Sequence, residues 1–403
     1  MMAREPVPPI MDNSTPGESP VKTATPPAGN RFDRMEWAGA FGDLGTLIPF
    51  VVAYIGVLHL DPFGVLFAFG VSMIACGAYY KTPFPVQPMK AIGAVAATQA
   101  AQTAVITPAA VYGAGLVTGV IWLVLGLTGV AHRVAKLVAR PIVIGIVLGL
   151  GMGFMLEGVK MMAGNWWIAG FGLAGTLLLL TNRRVPAMFL LLLFGAACGA
   201  VQNPELLKEL AGMTLAFRAP SFALSSITWH DFLIGATFLA LPQLPLTLGN
   251  AVIAIREENN RLFPDRSVTE RGVAVSTGLM NVFGSAVGGV PMCHGAGGMA
   301  GHVAFGARTG GALVILGAVL LGLALFFSGS VEALFRIFPA AILGVILFLT
   351  GAQLALGSCH FSEHKGERFV TLVTAAFAMW NVGIAFVVGL ALQQLVKRGM
   401  LRL

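Results

Sequence analysis

The stretch KTPFPVQPMKAIGAVAA, residues 81–97, constrains this chain most. Apolar runs flank it on both sides, which places it at membrane depth or at its edge. The prolines at 83, 85 and 88 each remove a backbone donor and push the preceding residue toward extended geometry. Helix can begin only after Pro88, whose ring suits a first helical position. The expected product is an extended segment leading into a half-helix whose N-terminus points into the protein. A helix broken at membrane depth is tolerated only where it lines a cavity. In transporters such N-termini receive anions. Lys90 stands in the first turn.

The rest of the chain supplies the membrane context. Of its 403 residues 56% are hydrophobic, 51 are glycine and only 11% are charged, where soluble domains carry about 25%. Mean hydropathy is +0.82. This composition indicates an all-α polytopic membrane protein with glycine-mediated helix packing. Residues 1–34 are rich in Pro, Ser, Thr and charge, and are expected to form a disordered cytoplasmic tail rather than a signal peptide. No soluble catalytic or regulatory domain is expected beside the membrane body. The isoelectric point near 9.5 does not indicate nucleic acid, because the basic residues lie in short loops between apolar runs. The cysteines at 76, 198, 293 and 359 lack paired spacing, so neither a disulfide framework nor a metal site is expected, and no cofactor.

Fourteen apolar segments can be placed, at roughly 36–57, 62–80, 86–103, 108–131, 140–157, 165–181 and 185–202, then 231–254, 268–287, 291–306, 310–328, 335–356, 367–381 and 383–397. A polar connector, 203–230, separates the two sets and is expected on the extracytoplasmic side. The first membrane repeat is then 35–202 and the second 231–398, followed by a cytoplasmic C-terminus at 399–403. With the N-terminus in the cytoplasm, twenty of the Lys and Arg residues fall on the cytoplasmic side and four on the other, the bias that orients membrane proteins. Seven is odd, so a second set of seven must be inverted relative to the first. Two internal matches support a repeat. Pro88-Met89-Lys90 parallels Pro291-Met292-Cys293, 203 residues later, and GDLGTLIP from Gly42 parallels LPQLPLTLGN from Leu241. The third and tenth segments are therefore expected as paired half-helices, and the first and eighth as spans broken by Gly or Pro.

Three runs, EWAGAFGDLGTLIPF (36–50), KTPFPVQPMKAIGAVA (81–96) and GGVPMCHGAGGMAGHVAFGARTGG (288–311), resemble the molybdate transporter family, a branch of the sulfate permease superfamily. The resemblance covers almost the whole membrane part. It implies the seven-plus-seven inverted-repeat fold of the uracil permeases, without a cytoplasmic regulatory domain. It also implies a core domain that holds substrate between segments 3 and 10, and a gate domain formed by segments 5–7 and 12–14.

The residues fit a tetrahedral oxyanion. Two half-helix N-termini supply about +1 charge together and a protonated Lys90 adds one more, which balances a dianion without a metal. Candidate ligands are Thr46, Gln87, Met89, Lys90, Gln243, Cys293, His294 and Gly295. Gln87 and Gln243 would donate amide hydrogen bonds or bridge unwound backbone, and His294 would contact the anion or cap its half-helix. Asp43 is the carboxylate lying well inside a span. It would pair with Lys90, couple transport to protons, or cap the broken helix through the amides of Gly45 and Thr46. Glu36 reads as an interface or gate group, His302 as a packing residue, and Asn250 and Asn281 as interhelical hydrogen-bonders. Gly145, Gly149 and Gly153 form a packing stripe in the gate or at a homodimer face.

The leading expectation is a secondary transporter, not an enzyme, importing molybdate with protons across a plasma (inner) membrane. Sulfate is the runner-up substrate and an anion channel the alternative of another class. Adjacent residues on a helix diverge, so Cys293 and His294 make a poor catalytic dyad. A nucleobase carrier would be expected to place acids in segments 8 and 10, where Gln243 and His294 stand.

Overall fold

The structure is a computed structural model that describes residues 29–93, 105–130, 139–179, 187–205, 208, 212, 215–336, 338–356 and 361–401. Most of the expected tail, the rest of the third segment, two basic loops and Cys359 lie outside the described residues. The protein is mostly helical. Asp33 opens α1 (Arg34–Ala40) by accepting from the amides of Met35 and Glu36 at 2.9 and 3.2 Å. A 3-10 turn, Phe41–Asp43, leads into α2 (Leu44–Gly56), and the chain bends by 42° at this break. Then come α3 (Pro62–Tyr80), α4 (Pro108–Thr128), α5 (Arg140–Met162), α6 (Trp166–Leu179) and α7 (Ala187–Gln202). After the connector follow α8 (Trp229–Leu262), α9 (Glu270–Ala286), α10 (Ala296–Ala304), α11 (Gly311–Arg336), α12 (Ala340–Leu356), α13 (Lys365–Trp380) and α14 (Val382–Lys397). Among the described residues five of these helices (α3, α4, α5, α8 and α11) have the length and apolar character to cross a membrane, and α1 with α2 would make a sixth span.

The eighth segment departs from expectation. It is not broken but widened, with π turns at Gly235–Ala240 and Thr247–Ala254 on either side of Leu241–Leu246. Pro245 withholds one helical hydrogen bond, and the wider turns absorb the lost register so that the span stays wound.

The helices form two groups with sparse contact between them. In one, α3 packs on α11 and α4 on α9; in the other, α5 lies between α12 and α13, and α6 packs on α7 and α12. The α5–α12 crossing is a backbone contact. A methyl group on Gly151 would lie 2.7 Å from the Gly351 carbonyl oxygen, and one on Gly158 would lie 2.6 Å from that of Gly344, too close for any side chain. Gly145 and Gly149 face the backbone of α13 within the chain.

Connector and tail are both tied to this frame. In the connector, the amides of Ala216 and Arg218 donate to the carbonyls of Phe326 and Leu325 on α11 at 3.3 and 2.9 Å. The Arg218 guanidinium pairs with Asp61 at the start of α3 and lies 5.3 Å from the centre of the Phe63 ring. At the other end, Asn30 donates to the Gly77 carbonyl at 2.9 Å and the Arg31 amide to Thr309 at 3.1 Å. Folded structure thus begins ahead of residue 34, inside the expected tail.

Candidate functional site

The two unwound segments meet in the middle of the first helix group. Residues Gln87–Pro88 (β1) and Met292–Cys293 (β2) pair as antiparallel strands, Gln87 opposite Cys293 and Pro88 opposite Met292. The Met89 amide extends the pairing by donating to the Pro291 carbonyl at 2.8 Å. Prolines that forbid helix at 83–88 and at 291 thus create two extended pieces, and each satisfies the other's backbone. Helix resumes at Lys90 on one side and at Ala296 on the other.

Three side chains brace this crossing. Asn281 on α9 accepts from the Met292 amide at 2.8 Å and donates to its carbonyl at 2.6 Å, so it mimics a strand partner. His294 is fully buried with both ring nitrogens engaged: Nδ1 faces the Pro85 carbonyl at 2.7 Å and Nε2 faces Ser276 at 2.8 Å. A carbonyl can only accept, so Nδ1 carries the proton and the Ser276 hydroxyl donates to Nε2. Tyr80 reaches the same hydroxyl at 2.6 Å. In this arrangement His294 is a brace, with no nitrogen left for an anion.

Gln243 also lies at the crossing, as an acceptor rather than a donor. Its Oε1 takes the amide of Ala91 at 2.7 Å and that of Ile92 at 3.4 Å, while its Nε2 donates to Thr247 at 2.8 Å. The first half-helix is therefore capped by a neutral side chain from α8. The N-terminus of α10 differs. Gly295 brings no capping side chain, and among the described residues the amides of Ala296 and Gly297 meet no acceptor. Gly297 is exposed, with open space where a side chain would be.

Asp43 and Gln87 form the remaining part. Gln87 Nε2 donates to both Asp43 oxygens, at 2.8 and 2.6 Å, and to Thr46 at 2.9 Å. The Thr46 hydroxyl also bonds the Asp43 carboxylate. Asp43 therefore makes neither the expected backbone cap nor an ion pair with Lys90. Gln87 Oε1 is buried and unpartnered, and it lies against Gly295, where a methyl group would strike it. Lys90 is 9% exposed and has no hydrogen-bond or ion-pair partner among the described residues. Met89 and Cys293 are buried in the crossing, with the Cys293 thiol 3.9 Å from the Pro88 carbonyl.

Two other residues resolve as structural. The fully buried Glu36 accepts from the amides of Arg308, Thr309 and Ala312 at 3.0, 2.9 and 3.2 Å, anchoring the start of α11. His302 holds the Gly39 carbonyl at 2.7 Å. Sequence reasoning missed Ser276 and Thr247 because an isolated Ser or Thr in an apolar helix carries no signal of its own. The open amides of Ala296 and Gly297 had one, the glycine run 295–298.

A family model described as "Molybdate transporter of MFS superfamily" matches residues 35–154 and again 235–354. The chain belongs to the molybdate transporter family. This member is 32% identical to Molybdate transporter 2 of Arabidopsis thaliana over 322 residues, 68% of this chain and 68% of that protein. It is 33% identical to Molybdate transporter 1 of the same plant over 318 residues, 67% of this chain and 68% of that one. Among solved structures it is similar to the transmembrane domain of the cyanobacterial bicarbonate transporter BicA, with a TM-score of 0.59 at 15% identity, covering 89% of this chain and 96% of that one. It is also similar to the murine Slc26a9 anion transporter in an inward-facing state, with a TM-score of 0.63 at 13% identity, covering 92% and 69%. At these identities the likeness concerns the fold alone. The chain is accordingly an integral membrane protein of a transporter family, not an enzyme.

Proposed function

We propose that this protein is a secondary transporter that imports molybdate, or a related tetrahedral oxyanion such as sulfate, in company with protons. One observation carries the reading: among the described residues the first amides of α10 meet no acceptor, and Lys90, buried in the first turn of the other half-helix, has no hydrogen-bond or ion-pair partner. Helix N-termini and a cation together favour an anion. Kinship with molybdate transporters supports the choice among oxyanions.

The fold reading behind it is fourteen segments in two inverted repeats. The same family model matches two stretches, the second starting 200 residues after the first. Helix pairing has the matching symmetry. The α3–α11 contact has its counterpart in α9–α4, and α6–α7 in α13–α14, while α5–α12 and β1–β2 are their own counterparts. The group containing α5–α7 and α12–α14 serves as the gate, and the strand crossing is carried by the other group. The termini lie in the cytoplasm, on the balance of basic loop residues.

Asp43 couples the proton. While ionised it draws the Gln87 amide nitrogen to itself and leaves the bare Oε1 facing the start of α10, where it repels an oxyanion. Once protonated, Asp43 becomes a donor to Oε1, and the amide turns to offer Nε2 to the anion. Lys90, Cys293 and His302 are the other titratable groups that interact with Asp43. Proteoliposomes loaded with the purified chain should take up molybdate saturably, and faster when the outside is made acidic. Large currents that do not saturate would instead establish an anion channel.

A further inference from the structure

At the far end of α10 from the strand crossing the chain builds a second basic centre. A cleft of about 480 Å³ is lined by Arg31, Asp33, Arg34, Met35, Gly306 and Arg308. Arg308 is fixed there because its Nη1 donates to the carbonyls of Val303 and Ala307 at 2.9 and 2.8 Å, closing the end of α10. The Arg31 backbone is held by its amide hydrogen bond to Thr309, and its half-exposed guanidinium meets Asp33 at 3.6 Å. Arg34 has no partner among the described residues. Of the two nearby acids, Asp33 spends one oxygen on the start of α1, and Glu36 is fully buried with its carboxylate taken by three backbone amides. Three guanidiniums thus share one cleft beside two carboxylates, both already bonded to backbone amides, which leaves an excess of positive charge. Like charges gathered in one cleft repel, and a bound anion lowers that cost.

The surroundings narrow the anion's identity. Phe32 and Met35 are each 56% exposed and Trp37 is 49% exposed, all at the mouth of the first span. Exposed Trp and Phe beside arginines mark the level where headgroups meet acyl chains. We propose that this cleft binds the phosphate of an anionic phospholipid headgroup, with Phe32, Met35 and Trp37 against the upper acyl chain. The site is independent of the transport reading. It holds the end of α10 opposite Gln87 and Gly295, so an occupied cleft anchors that half-helix to the membrane surface.

The test is thermal unfolding of the purified full chain in neutral detergent, titrated with dioctanoyl-phosphatidylglycerol or dioctanoyl-phosphatidylcholine. The glycerol lipid should raise Tm saturably and the choline lipid should not. Each arginine contributes about fivefold, so Arg31→Gln with Arg34→Gln should move the midpoint about 25-fold. Arg34→Gln alone, which removes no internal bond, should move it about fivefold and serves if the double variant folds poorly. Lys160→Gln, the same charge change elsewhere, should leave the midpoint in place, as should Lys90→Ala. Equal stabilisation by both lipids, or a wild-type midpoint in the arginine variants, would overturn the proposal. So would full reproduction of the shift by inorganic phosphate at the same concentrations.

Discussion

At the half-helix after Pro88, the first amides are answered by Gln243 and the charge comes from Lys90. At α10 the first amides are unanswered among the described residues and no charged side chain stands in the first turn. The contrast deepens when the matched stretches are compared, because Asp43 stands as far from the start of the first as Gln243 from the start of the second. Gln243 caps the half-helix it faces. Asp43, also an acceptor and close to α10, caps nothing, because Gln87 and Thr46 hold its carboxylate aside. One N-terminus is closed from within the protein, and the other is kept open by diverting the group that could close it. In the proposed anion site one helix end and one cation do the work, not two equivalent ends.

Removing the cation should break the comparison most severely. Lys90→Ala should weaken molybdate binding by about 3–5 kcal/mol, the cost of leaving a buried charge without its partner, measurable by titration calorimetry. Unchanged affinity would mean that Lys90 plays no part in the site. Next comes the spacing that admits Asp43 and Gln87 beside α10. A methyl group at Gly298 would sit 2.6 Å from Asp43 Oδ2 and 2.9 Å from Pro85 Cβ, whereas one at Gly297 meets open space. Gly298→Ala should therefore abolish uptake in proteoliposomes, while Gly297→Ala should fold normally and keep most of it. The reverse ranking would show that the α10 terminus is not packed as described.

A smaller effect is expected at the closed end. Gln243→Leu leaves the amides of Ala91 and Ile92 without an acceptor, which costs roughly 1–3 kcal/mol of stability. Molybdate affinity should change less than Tm does. A large gain in affinity would instead mean that this end, once uncapped, also takes the anion. Asp43→Asn should produce the smallest change at acid pH, where the proposed carrier already has that group neutral, and should flatten the pH dependence of uptake. An Asn variant that keeps the full pH response would remove Asp43 from coupling.

Much of this was legible in the sequence. Prolines 83, 85, 88 and 291 each remove a backbone donor and push the preceding residue toward extended geometry, so the two unwound segments were legible from local chemistry. The capping partners did not. Gln243 is 152 residues from Ala91, and nothing local distinguishes an amide that donates to a ligand from one that accepts from a helix end. His294 was ambiguous for the same reason, since its role depends on Ser276 and Pro85 reaching it from two directions. The eighth segment was misjudged because Pro242 and Pro245 signal a break locally, while π turns on either side can absorb the missing bond.

In the proposed cycle Asp43 would set a limit on the work the carrier can do. One carboxylate takes up one proton, so a proposed cycle that carries a dianion inward with it moves one net negative charge. Across a membrane held 100 mV negative inside, each such charge is opposed by about 2.3 kcal/mol, roughly a fiftyfold brake on accumulation. Voltage and proton gradient would then pull in opposite directions, and collapsing the membrane potential at constant pH should speed uptake rather than slow it.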